Sequence, residues 1–255
     1  MGFSIRSKRE QLRRLVETKA QFSRNLTSEE RALGFLGWHE RGYMPHCDFP
    51  HLIQLITFRL RDSMPASRRG EWEHLLKIED VSKRRSKLED YLDQGIGHCV
   101  LRKPHAANIV QESLLHFHED RYRLLAWCVM PNHIHALVDV QMTPLYKIVQ
   151  NWKVHTENRI RKASSTPERR VPSRLDRSNS TEPGRCPSLR VEWQREYWDT
   201  VVQDAEHERK AIKYIENNPL KAGLCKEPAQ WPYSSAQFRD EFCRLALPAR
   251  AVVES

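Results

Sequence analysis

Residues 122–140 read YRLLAWCVMPNHIHALVDV, and the rest of the chain can be placed around this stretch. Its first half, 122–130, is a continuous apolar run rich in β-forming residues, and Pro131-Asn132 supplies turn chemistry, so a hairpin is predicted. From His133 onward apolar and polar residues alternate. Successive strand side chains point to opposite faces, which puts His133, His135, Leu137 and Asp139 on one side and Ile134, Ala136, Val138 and Val140 on the other. Two imidazoles therefore stand side by side on a strand. Neutral His nitrogens held in one orientation suit a divalent cation, and two ligands leave the open positions that a catalytic ion needs. An H-x-H alone has a plainer reading, two histidines lining a partly wet sheet face.

Upstream, residues 52–61 form the next strand pattern, with Ile56, Phe58 and Leu60 toward a core. Thr57, Arg59 and Arg61 then share the other face, where guanidiniums suit phosphate contacts or make a solvated charged edge. Pro45 and Pro50 suggest an irregular entry segment, and His46, Asp48 and His51 within it read as structural. Residues 66–120 read as helical, with Trp72, Leu75, Leu76, Ile78, Val81, Leu88 and Tyr91 as apolar positions, a break at Gly95 and Gly97, and a second helix over about 105–118. His116 and His118 also form an H-x-H, but residues two apart on a helix do not face each other.

Downstream, Thr143-Pro144 offers an N-cap and a first-turn proline for a helix running to about Lys162. Leu145, Ile148, Val149 and Trp152 are its core stripe, and Lys147, Lys153, Arg159, Arg161 and Lys162 make a basic surface. Residues 163–190 lack apolar period and read as a mobile basic linker. A fourth strand is predicted at 197–203. Asp204 then caps a helix with Glu206 and Glu208 in its first turn, and Pro219 ends it nearby. In that helix Ala211, Ile212 and Ile215 form the core stripe, while Tyr214 and Asn218, four apart, are neighbours on one edge. Trp231, Pro232, Tyr233 and Ser234 read as a packed extension.

The chain of 255 residues is long enough for one sizeable core with appendages. Three parts are expected: a charged arm at 1–41, a domain at 42–237 that contains the linker, and a tail at 238–255. Lys and Arg outnumber Asp and Glu by 42 to 33, for a formal charge of +9, and this favours a polyanion, nucleic acid first. No apolar run approaches membrane-spanning length, so a cytoplasmic, nucleoid-associated protein is expected. Cys47, Cys99, Cys128, Cys186, Cys225 and Cys243 show no C-x-x-C spacing and read as free thiols, Cys128 as a core residue.

PNHIH on a strand, then WQREYW, the helix YIENNPLKAGL and a late WPYSS resemble the REP-associated tyrosine transposases, among the HUH single-strand DNA transposases. PHCDFPHLIQLITFRLRDSMP is similar to that family's lead-in, so the resemblance spans roughly residues 42–237. It implies an α+β fold, a ferredoxin-like βαββαβ antiparallel sheet with an appended C-terminal catalytic helix. The strand and helix order read from the residues agrees. It further implies that His133 and His135 hold Mg²⁺ or Mn²⁺, that Asn218 is a third ligand and that Tyr214 is the nucleophile. The implied activity is cleavage and rejoining of single strands through a 5′-phosphotyrosine link, on imperfect palindromic REP-type hairpins. Arg59, Lys147, Lys153 and Lys213 are expected backbone contacts, and a monomer or homodimer is expected. Two other readings compete. One is a domesticated hairpin-binding protein without transposition activity. The other, an amidohydrolase-type metal hydrolase, needs repeated strand-helix units that this sequence lacks.

Overall fold

The computed structural model describes residues 24–41, 44–78, 80–165 and 191–247. In chain order these carry α1 (Ser28–Leu33), β1 (Gly37–Arg41), β2 (Met44–Asp48), β3 (Leu52–Arg59), α2 (Arg69–Leu76), α3 (Val81–Asp93), α4 (Pro104–Leu115), β4 (Tyr122–Val129), β5 (His133–Val140), α5 (Leu145–Ser165), β6 (Trp198–Val201) and α6 (Ala205–Lys221). The main sheet is antiparallel, in the order β4-β5-β3-β6. The predicted hairpin is its β4–β5 pair, closed where the Met130 N–H donates to the His133 carbonyl.

Alternation along these strands divides the molecule. One sheet face, with Ile56, Phe58, Ile134, Ala136 and Val138, packs on Ile109, Val110 and Leu114 of α4 and on Ile148, Val149 and Trp152 of α5. The opposite face, with Leu55, Ala126, Cys128 and Leu137, packs on Ala211 and Ile215 of α6. A third cluster, Trp72, Leu88, Tyr91, Leu92 and Trp198, seats α2 and α3 on one end of the sheet. The histidines lie on the α6 face. Burial on both faces is why the hairpin reads as nearly continuous apolar sequence rather than as strict alternation.

Several expectations are corrected. Within the charged arm expected at 1–41, residues 24–41 carry a helix and a strand. Thr27 and Glu30 form a capping box on α1, and β1 pairs with β2, so the boundary expected at 41/42 falls inside a hairpin. The expected irregular entry segment is itself a strand, β2; Pro45 is accommodated because this ribbon has only two strands. The rest of the arm, 1–23, lies outside the described residues. Helix α5 continues to Ser165, so the expected linker loses its first three residues to helix, and the remainder lies outside the described residues. At its start the Leu145 N–H donates to the buried Asp48 carboxylate, which takes the capping role expected of Thr143. Helix α6 carries Pro219 inside it and ends at Lys221.

The late WPYSS segment covers the free edge of β4. Val129 N–H donates to the Tyr233 carbonyl, Trp231 Nε1 donates to the Val129 carbonyl, and Ser234 bridges Cys128. Beyond it, Arg239 pairs with Glu216 of α6 at 2.8 Å and donates to the Leu125 carbonyl, which ties the described part of the tail to the sheet. Cys47, Cys99, Cys128, Cys225 and Cys243 are free thiols; Cys186 lies outside the described residues.

Candidate active site

The turn before β5 fixes the first imidazole. Asn132 Nδ2 donates to the carbonyls of Leu92 and Ile96, so its Oδ1 faces His133 Nδ1 at 2.7 Å. That nitrogen must therefore carry the proton, which leaves His133 Nε2 as a lone pair. His135 is held from β3, its Nδ1 2.8 Å from Thr57 Oγ1. The two Nε2 atoms face each other at 3.0 Å, and both rings are buried. Two lone pairs at that separation would repel. The contact needs a proton on His135 Nε2 or a cation between the rings.

Burial and nearby charge favour neutral imidazole at His133. Burial first, then Lys221 and Arg59, brings the His133 pKa down to about 3, so the ring is uncharged and available as a ligand at neutral pH. Arg59 lies opposite His133 in the β3–β5 register, 4% exposed, with its guanidinium 4.5 Å from the Trp72 ring centroid and one nitrogen donating to Ser63 Oγ. Asp93, at the end of α3, places Oδ1 3.9 Å from His133 Nε2. Burial raises its pKa, and Lys221 of α6, 3.2 Å away, opposes that shift.

Helix α6 brings the remaining candidates. With Ala211 and Ile215 pressed on the sheet, the next edge carries Tyr214, whose ring centroid is 5.3 Å from that of His135 in an edge-to-face arrangement. One turn on, Asn218 is 2% exposed, and neither its Oδ1 nor its Nδ2 has a hydrogen-bond partner among the described residues. A buried carboxamide left this way costs stability, and a ligand that takes its oxygen removes part of that cost.

The donors present suit a hard or borderline divalent ion. Bonds of about 2.1 Å at a right angle put two donors about 3.0 Å apart, which the Nε2 pair meets, and a carboxamide oxygen is a proper third donor. Among the described residues no three His, Cys, Asp or Glu side chains already stand together as a metal-holding group, and the Asn218 carboxamide is a donor of another kind.

The expected backbone contacts fare differently. Lys213 is exposed on α6. Lys147 Nζ donates to the Leu33 carbonyl at the end of α1, and Lys153 Nζ to the carbonyls of Gln194 and Arg195, so both work as staples between segments. Arg59 is buried beside His133 rather than solvent-facing, and Arg61 sits in a short 3₁₀ turn after β3. Sequence reading placed Asn132 in a turn and gave Thr57 no ligand-orienting role. It passed over Asp93 and Lys221 entirely. Thr57 had a usable signal, since it falls on the strand face of the histidines; Asp93 had none, because its place depends on how α3 caps the sheet. Two surface grooves, about 560 Å³ along α2 and α3 and about 490 Å³ between α4 and α5, lie away from the histidines. The second is basic, with Arg121, His155, Arg159 and Lys162.

Comparison with known proteins bears on what this constellation is. Residues 100–175 match the family model described as Transposase IS200 like. A Haemophilus influenzae protein described as a candidate REP-associated tyrosine transposase is 26% identical over 114 residues, 45% of this chain and 58% of that relative. The chain resembles the REP-associated tyrosine transposases. Its matched part spans under two thirds of that relative's length. A solved structure of a REP-associated tyrosine transposase bound to a REP hairpin aligns over 80% of this chain and 85% of its own, at 15% identity and a TM-score of 0.42, too low to establish a shared fold. Among the described residues no helix is long and apolar enough to cross a membrane.

Proposed function

We propose that this chain is a divalent-metal-dependent transposase that cleaves and rejoins single-stranded DNA at REP-type hairpins, with Tyr214 as nucleophile. The observation that carries this reading is the Tyr214 ring packed edge-to-face with His135, one helical turn from a buried carboxamide whose polar atoms lack hydrogen-bond partners among the described residues. The strand order β4-β5-β3-β6, with helices between β3 and β4 and between β5 and β6, supports a ferredoxin-like sheet with α6 as the appended catalytic helix. The matched family model and the Haemophilus relative support the substrate class.

In this reading His133, His135 and Asn218 hold Mg²⁺ or Mn²⁺. The ion, when bound, withdraws charge from the scissile phosphate. The chain's own residues do the rest. Asn132 and Thr57 hold the imidazoles with Nε2 forward, and α6 sets the phenol beside them. Attack by the Tyr214 oxygen forms a phosphorus–oxygen bond to the 5′ side, breaks the bond to the 3′ oxygen, and passes the phenolic proton to solvent while the leaving oxygen takes up a proton. The bond energy stays in the phosphotyrosine, so a second 3′-hydroxyl reverses the step without a nucleotide cofactor. Lys213, exposed one residue before Tyr214, is the basic side chain best placed to meet the DNA backbone.

The test is adduct trapping. Hairpin DNA labelled on the 3′ side of the cleavage position is incubated with the protein and Mn²⁺, then denatured. A covalent protein–DNA band is expected from wild type and none from Tyr214→Phe, with far-UV circular dichroism unchanged. An undiminished band from the variant refutes Tyr214 and turns attention to Tyr197, Tyr233 and Tyr146.

A further inference from the structure

The proposed ligands are two imidazoles and a carboxamide, all neutral. Two positive charges nevertheless bear on His133, those of Arg59 and Lys221. Neutral donors beside two cations would hold a divalent ion weakly, because its charge is offset by nothing in the set. The nearest carboxylate is Asp93, whose side chain is only 11% exposed and whose Oδ1 lies 3.9 Å from His133 Nε2, the nitrogen with the free lone pair. Two donors on one ion, with bonds of about 2.1 Å, lie from about 3.0 Å apart at a right angle to about 4.2 Å when opposite. The 3.9 Å separation falls inside that range for this one pair; the two histidines and Asp93 do not yet form a metal-holding group as they stand, so the carboxylate must swing toward the ion.

Asp93 is also incompletely satisfied. Lys221 Nζ stands 3.2 Å from its Oδ2, within ion-pair distance, yet neither carboxylate oxygen accepts a well-formed hydrogen bond among the described residues. Lys221 instead donates to Asp90 Oδ1 at 2.8 Å, so it has a second carboxylate to stay with. A buried carboxylate that an ammonium neutralises without a good hydrogen bond is suited to exchanging one cation for another.

We propose that Asp93 is the anionic member of the cation site, giving up its ion pair with Lys221 for the divalent ion while Lys221 remains on Asp90. The inference rests on the metal-dependent reading above and adds to it a fourth donor, from α3. It also gives Lys221 a purpose: the ammonium holds the carboxylate in place when the ion is away. Because Lys221 lies on α6, the helix of Tyr214, loading the ion changes the contact between that helix and α3.

The experiment is Mn²⁺ binding to the full chain, by loss of the free-Mn²⁺ electron paramagnetic resonance signal, for wild type, His135→Ala, Asp93→Asn and Lys221→Met. No DNA or turnover is involved. Asp93→Asn keeps the shape and removes the charge, and it is expected to weaken Mn²⁺ by at least about 10–100-fold, since that much is lost when even a group that only supports a ligand is removed. Lys221→Met removes the competing cation and is expected to leave affinity unchanged or tighter. Near-UV circular dichroism verifies the fold, and if Asp93→Asn fails that check Asp93→Glu takes its place, with altered affinity again expected. Wild-type affinity in the Asp93 variant, alongside loss in His135→Ala, overturns the proposal and leaves the metal site standing. Weakening by Lys221→Met as large as that by Asp93→Asn makes the pair a structural latch and also overturns it. A wild-type protein that binds no Mn²⁺ overturns both readings.

Discussion

Replacing Asn218 with leucine should leave the metal-free protein about as stable as wild type while it weakens Mn²⁺ binding and abolishes the proposed strand cleavage. The side chain is 2% exposed, and both polar atoms lack hydrogen-bond partners among the described residues, so the fold carries a desolvation cost there. A buried group left unsatisfied costs about 1–3 kcal/mol. Leucine copies the branching of the side chain but is larger, and extra volume at a packed site costs about 1–3 kcal/mol. The two terms offset, so in EDTA the variant should lie within about 2 kcal/mol of wild type. At about 2–4 °C per kcal/mol for a chain of this size, the melting temperature should move by no more than about 8 °C. Adding Mn²⁺ should then separate the two proteins. Wild type gains RT ln(1 + [Mn²⁺]/Kd) from binding to the native state alone, and the variant, lacking one ligand, gains less. Differential scanning calorimetry in EDTA and in Mn²⁺ measures both, with adduct formation run in parallel. A variant that shows the full Mn²⁺ shift would refute the assignment of Asn218 as a ligand.

Acid stability offers a second check. The His133 pKa of about 3 lies below its unfolded value of about 6.5, so the unfolded chain binds the extra proton and the contribution present above about pH 6.5 is lost as pH falls toward 3. His133→Gln in EDTA should flatten that limb of the urea-midpoint profile. Asn132→Ala frees His133 Nδ1 and leaves the Leu92 and Ile96 carbonyls without their donor, so Mn²⁺ affinity should fall by about 10-fold or more with a modest loss of stability. Lys153→Met removes the staple on the Gln194 and Arg195 carbonyls; it should cost about 1–2 kcal/mol in urea unfolding, and a selective loss of hairpin affinity would show Lys153 to be the DNA contact expected from the sequence. Native-state thiol labelling should reach exposed Cys243 and spare Cys47, whose pKa burial pushes up to about 12, and fully buried Cys128.

What sequence alone could supply follows the range of the forces involved. β4 and β5 were legible because a period-2 pattern and a Pro-Asn turn are local signals, and α6 because Asp204, its acidic first turn and the 211/212/215 stripe announce a helix without reference to anything else. The β1–β2 ribbon was not legible: Pro45 argues against a strand, and the pairing that overrides it is tertiary. Lys147 and Lys153 illustrate the same limit. Their charge was plain, but a lysine that staples two backbones and one that meets phosphate look identical until the partner carbonyls are in place.

The site itself divides along this line. The proposed ligands and nucleophile lie on two elements with strong local signatures, so His133, His135, Asn218 and Tyr214 could be named from spacing and resemblance. What prepares them comes from elsewhere. Asn132 is oriented by carbonyls at the end of α3, Thr57 reaches His135 only through the β3–β5 register, and Asp93 depends on the Trp72–Tyr91–Trp198 cluster that seats α2 and α3. A cation held by neutral donors between Arg59 and Lys221 needs that third element for its charge balance. The consequence is that α3, which carries no recognisable catalytic motif, should be as sensitive to substitution in metal affinity as the strand that bears the histidines.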